Sequence, residues 1–176
     1  VQDNISMSKQ GAVRGLHYQV GEKAQGKLCM VISGKVLDIA VDVRFGSPTF
    51  GKHYCEILSD ENHNQIWIPP GFAHGFSVLS ETAIFSYKCT ELYSKEHERS
   101  IIYNDPDLNI NWQVDNPIVS EKDLMAGLFK DIAKDFIYGY SNPPSGNYIN
   151  VPADVEKLRL RNKPNTNSCV YGWLVS

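Results

Sequence analysis

The sequence predicts a mainly antiparallel β fold, a sandwich or small barrel, followed by one C-terminal helix. Three observations carry this. First, Leu37-Asp38-Ile39-Ala40-Val41-Asp42-Val43 alternates strictly, aliphatic at odd positions and small or acidic at even ones. That is the period-two pattern of a strand with one buried face. Second, further short apolar runs at His53–Leu58, Gln65–Ile68, Gly75–Leu79 and Ala83–Cys89 follow without a helix between them. They are separated by Gly46-Ser47-Pro48, Ser59-Asp60-Glu61-Asn62 and Ser80-Glu81, and Ser33-Gly34 punctuates the run before them as a hairpin turn would. Third, Leu124, Leu128, Ile132 and Phe136 recur every four residues with Phe129 alongside, which predicts a helix over 121–137. Ser120 is its expected N-cap, with Asp123 facing back in a box-like arrangement.

A chain of 176 residues, 42% hydrophobic and 21% charged, suits one ordinary globular domain with a sufficient core. Its net charge of −3 provides no global basic field, so nucleic acid is not an expected partner. No apolar run approaches the roughly 20 residues of a membrane span. The cysteines, Cys29, Cys55, Cys89 and Cys169, form neither C-x-x-C nor a zinc spacing. Cys55 and Cys89 lie in apolar strand-like runs, where a free thiol acts as a small core hydrophobe. A reducing, cytoplasmic setting is the expectation. Residues 1–140 read as the folded domain; beyond Tyr140 a breaker segment, Ser141-Asn142-Pro143-Pro144-Ser145-Gly146-Asn147, opens a C-terminal extension over 141–176 with no clear periodicity.

Three segments set ionisable residues in strand-like, apolar surroundings: Gly11–Gln19, Gln25–Lys27 and Ile68–Phe76. Arg14 and Lys27 are awkward to bury unless an anion meets them. His17 and His74 suit a base and a hydrogen-bond donor. On the residues alone, a histidine in a strand is more often a satisfied structural residue than a catalyst, and Arg14 reads equally as the partner of a surface carboxylate. Asp123 reads as a helix first-turn acid, and Tyr87 shares a strand face with Ala83, Phe85 and Cys89 as core would. A metal-binding pattern common in small β-barrels, H-x-H with a later carboxylate and histidine, is missing: Tyr18-Gln19 follows His17. No metal and no cofactor are expected.

Taken together and in order, "QDN", "RGLHYQ", "QGKL", "SPTFGK", "IPPGFAHGF", "YKCT" and "DPDLNINW" resemble the dTDP-4-dehydrorhamnose 3,5-epimerase family, from about Gln2 to Asp123. The resemblance implies a cupin-like antiparallel jelly-roll barrel and a metal-free isomerase. Its substrate would be a dTDP-linked 4-keto-6-deoxy sugar, epimerised at C3 and C5 through enolates in deoxysugar biosynthesis. It further implies His17 as the base, Asp123 as the base's partner, Lys27 near the sugar ketone and Tyr87 as the acid on the opposite face. Arg14 and His74 would contact substrate, and Gln2, Asn4, Glu98 and Lys122 would help to hold it. A homodimer is implied as well.

Two departures from the family stand out. The family carries a segment before "QDN" that grips the nucleotide and crosses to the partner subunit, whereas this sequence opens at Val1 in what reads as mid-strand. That segment is expected to be missing. The residues after about Tyr140 match nothing in the family pattern. Two rivals therefore stand beside the 3,5-epimerase: an epimerase of one carbon only, and a non-catalytic sugar-nucleotide binding module.

Overall fold

The structure, a computed structural model, describes residues 1–139. The expected extension over 141–176 lies outside them. Two sheets face one another. The first runs in the order β1 (Gln2–Lys9), β8 (Thr82–Cys89), β3 (Lys27–Ser33), β6 (Gln65–Ile68). The second runs β10 (Ile118–Val119), β2 (Ala12–Gln19), β7 (Phe72–Val78), β4 (Lys35–Asp42), β5 (His53–Ser59), with β9 (Glu98–Ser100) also paired to β2. All these pairings are antiparallel except that of β10 with β2. The predicted β class and the predicted central strands are therefore present. Gly34, at φ +86°, makes the turn between β3 and β4.

The alternation in β4 has a fuller meaning than one buried face. Leu37, Ile39 and Val41 do enter an apolar cluster, with Val13, Leu16, Ile101, Trp112 and Phe136. Yet Val36, Asp38, Ala40 and Asp42 on the other face are buried too. Val36 and Ala40 join Cys29, Val31, Leu58, Ile66, Phe76 and Phe85 in a second cluster, drawn from strands of both sheets. The even face of β4 is thus the barrel interior, and the odd face is covered from outside by the chain beyond β9. Trp112 fastens that cover: its carbonyl accepts from Ser77 Oγ at 2.6 Å, and its indole N–H donates to the Tyr103 carbonyl at 2.7 Å.

The predicted helix over 121–137 is corrected. Only Glu121–Leu124 (α1) is α-helical, and Phe129–Asp131 makes a single 3-10 turn. Gly127 sits between them, and a glycine costs a helix interior about 1 kcal/mol relative to alanine. The apolar residues serve instead as an extended strap. The Gly127 carbonyl accepts from Ile102 N, Phe129 packs on Phe50 at 4.9 Å between ring centroids, and the Phe136 carbonyl accepts from Phe45 N at 2.7 Å. Ser120 is the N-cap as predicted, its hydroxyl accepting from Asp123 N at 3.1 Å.

Cys29 and Cys89 are free and buried. Cys55, expected free, is instead disulfide-bonded, so the cysteines no longer argue for a reducing compartment.

Candidate active site

The glycine of "RGLH" shapes the site. A Cβ at Gly15 would lie 2.7 Å from both Gly75 Cα and the His74 carbonyl, and its φ is +118°. Only glycine lets β2 approach β7 this closely. The register of the two strands shifts between Arg14 and His17, a bulge that re-aims the residues after it. His17 thereby meets Asp123 from the first turn of α1, with Nε2 and Oδ1 2.5 Å apart. The other carboxylate oxygen accepts from Gly15 N at 3.3 Å. Asp123 is 3% exposed. Burial pushes its carboxyl pKa up, but the hydrogen bond and charge of His17 and the donors from Gly15 and Ser120 outweigh it, holding the group below its ordinary value.

His17 and Tyr87 stand between two adjoining hollows of about 330 and 550 Å³ and line both. His17 comes from one sheet and Tyr87 from the other, so they approach the cleft from opposite walls. Burial raises the Tyr87 phenol pKa, the charges of Cys89 and Cys29 adding to the effect and Arg14 opposing it. A neutral hydroxyl is the result. Lys27, at the start of β3, lines the smaller hollow. Burial pulls its ammonium pKa down, against the charges of Cys29, Cys89, Asp38 and Glu98.

Of the remaining predicted residues, Gln2, Asn4 and Glu98 line the smaller hollow, and Arg14, His74 and Lys122 the larger. Gln2 Nε2 donates to Asn4 Oδ1 at 2.9 Å, and Gln2 Oε1 accepts from Tyr93 N at 2.8 Å. Glu98 accepts from Lys122 at 2.5 Å and from the Tyr93 hydroxyl at 3.0 Å. Burial alone would raise the Glu98 pKa, but these donors take it below its usual range. Among the described residues Arg14 pairs with no carboxylate; its Nε donates to Ser8 Oγ at 3.0 Å, which leaves an exposed guanidinium at the larger hollow. The cleft thus gathers every residue singled out from the sequence.

Sequence reasoning missed two features. Asp38, with no exposed surface, accepts from His74 Nε2 at 2.9 Å, and its second oxygen has no partner among the described residues. Burial lowers the His74 pKa, opposed by Asp38, so the imidazole is neutral. The acidic even positions of β4 were the available signal. Tyr93, on the stretch after β8, lies outside any strand pattern and gave none.

The sequence model of dTDP-4-dehydrorhamnose 3,5-epimerase matches residues 1–131. The chain belongs to that family. It is 56% identical over 132 residues to the dTDP-4-dehydrorhamnose 3,5-epimerase of Pseudomonas aeruginosa, covering 74% of this chain and 72% of that one. The solved dTDP-6-deoxy-D-glucose-3,5-epimerase of Legionella pneumophila, in complex with dTDP-4-keto-L-rhamnose, is 51% identical with a TM-score of 0.76 over 80% of this chain and 76% of that one. A 3'-monoepimerase from Streptomyces bikiniensis, in complex with dTDP-quinovose, is 35% identical with a TM-score of 0.70 over 73% and 66%. Family membership makes the chain a cupin-like nucleotide-sugar epimerase, an isomerase of dTDP-rhamnose biosynthesis. No helix among the described residues is long and apolar enough to cross a membrane.

Proposed function

We propose that the chain inverts C3 and C5 of a dTDP-linked 4-keto-6-deoxyhexose in turn, with His17 as base and Tyr87 as acid. Both carbons flank the C4 ketone, so loss of either proton gives an enolate. A neutral imidazole suits that step near pH 7, and Asp123 fixes its tautomer and stabilises the imidazolium. Lys27 donates to the developing enolate oxygen, a contribution commonly worth about 3 kcal/mol. Returning the proton from the other face completes the inversion, and Tyr87 on the facing sheet is placed for it. Arg14 and His74 contact substrate from the larger hollow; Gln2, Asn4, Glu98 and Lys122 hold it from around the rim. No step calls for a metal or a cofactor.

The observation that carries this reading is the His17–Asp123 pair, which shares one cleft with Tyr87 on the opposing sheet. Incubation with the dTDP-linked 4-keto sugar in heavy water tests it. Label should enter at two carbons; entry at one carbon supports the monoepimerase rival, and entry at none a binding module.

The assembly we propose is a homodimer. β1 is an edge strand, and its Ile5 and Met7 are 69% and 71% exposed. Such an edge is ordinarily covered, and a second copy of the chain covers it here.

A further inference from the structure

Three strands bring three different metal-ligating side chains together beside the larger hollow: Cys29 from β3, Asp38 from β4 and His74 from β7. All three are buried, and one donor atom from each lies within 4.8 Å of the others. The His74 Nε2 to Asp38 Oδ2 distance is 2.9 Å, and Cys29 Sγ stands 4.0 Å from the same nitrogen. Asp38 Oδ1 is buried with no hydrogen-bond partner among the described residues, a costly state for a carboxylate oxygen. Neither the H-x-H pattern nor the proton chemistry uses this cluster as a ligand set.

We infer that Cys29, Asp38 and His74 form an inhibitory site for a borderline or soft divalent cation such as Zn²⁺ or Co²⁺. A mixed sulfur, nitrogen and oxygen donor set selects such ions over Mg²⁺ or Ca²⁺, which take oxygen alone. His74 lines the larger hollow, so an ion reaches the cluster from that side and keeps its fourth position open to the hollow. On binding, the Cys29 thiol gives its proton to solvent and the imidazole proton moves to Nδ1. The His74–Asp38 hydrogen bond breaks, and bonds form from the ion to Sγ, Nε2 and a carboxylate oxygen. The neighbouring Lys27 charge opposes the ion, which sets this site apart from a resident cofactor site. Inhibition follows because His74 is withdrawn from the sugar. That consequence rests on the epimerase reading, whereas binding of the ion does not.

Titrating the full chain with Co²⁺ tests binding and inhibition separately. The parent should develop a near-ultraviolet sulfur-to-cobalt charge-transfer band and lose epimerase activity in step with it. Cys29→Ala should keep its activity without metal, show no band, and need at least about tenfold more Co²⁺ for inhibition. Cys29→Ser should behave likewise if the alanine variant folds poorly, and Cys89→Ala should retain the band. A parent without the band, or a band that survives loss of Cys29, overturns the site. A band without loss of activity overturns the inhibition while leaving the epimerase reading untouched.

Discussion

His17 and Asp123, 106 residues apart in the chain, meet with Nε2 and Oδ1 2.5 Å apart. Two further contacts of Asp123 fix that meeting. Gly15 N holds the second carboxylate oxygen, and the Ser120 hydroxyl holds the Asp123 amide. His17 is therefore oriented by a carboxylate that is itself fixed in the first turn of α1.

If His17 is the base, His17→Asn abolishes solvent deuterium exchange and leaves nucleotide binding nearly intact. A base acts in the transition state and contributes little to ground-state affinity. Exchange measured by NMR beside binding measured by calorimetry checks both halves. Exchange at more than a small fraction of the parent rate contradicts the assignment.

Asp123→Asn keeps the shape and removes the charge. The imidazole then loses the partner that stabilises its charged form, and kcat should fall by about 100-fold or more. The same residue predicts a pH effect on stability. Its folded-state pKa is depressed, with burial outweighed by His17, Gly15 and Ser120. A depressed carboxyl contributes stability that is complete above the unfolded value and is lost as pH falls through the folded one. The gap in urea midpoint between parent and Asp123→Asn should thus be constant above about pH 5 and close below about pH 4. A gap that widens on acidification would falsify the pairing.

If Lys27 stabilises the enolate, no metal is needed, and prolonged treatment with a chelator leaves epimerase activity unchanged. Activity lost to the chelator and restored by one divalent ion would contradict it. Lys27→Ala should lower kcat by about 100-fold in metal-free buffer, the usual loss of one donor to a developing oxyanion.

If the β1 edge is covered by a second copy, light scattering at micromolar concentration gives twice the monomer mass. Replacing Ile5 and Met7 with lysine should shift it towards the monomer. A parent that scatters as a monomer sinks the dimer.

Much of this was legible in the sequence because strands report themselves through alternation and turn residues. β4 to β8 fall where the apolar runs and the Gly34 turn put them. The helix was misread because a four-residue spacing of Leu124, Leu128, Ile132 and Phe136 fits two structures. Where an open sheet face lies beside it, an extended strap packs Phe129, Ile132 and Phe136 onto that face without the cost of Gly127 in a helix, and Leu124 stays exposed. Histidine–carboxylate hydrogen bonds between distant segments were harder to read. His17 with Asp123 was accessible through the family resemblance, but His74 with Asp38 depends on β4 and β7 lying side by side, and pairing order is not written in any single strand.

Tyr87 separates a catalytic acid from a core residue. It packs beside Phe85 at 5.9 Å between ring centroids, as a core tyrosine would, yet it also lines both hollows opposite His17. If it protonates the face opposite the base, Tyr87→Phe removes the acid and keeps the base. Proton abstraction continues, and deuterium returns mainly to the original face. Label then washes into the sugar without efficient inversion. A packing role predicts otherwise. Losing one hydroxyl costs at most about 0.5–1.5 kcal/mol of stability and leaves the ratio of exchange to inversion alone. Both quantities can be followed by NMR in one sample. A ratio equal to the parent's would assign Tyr87 to packing and move the acid to His74, the other proton-bearing group in the larger hollow that is buried against Phe85.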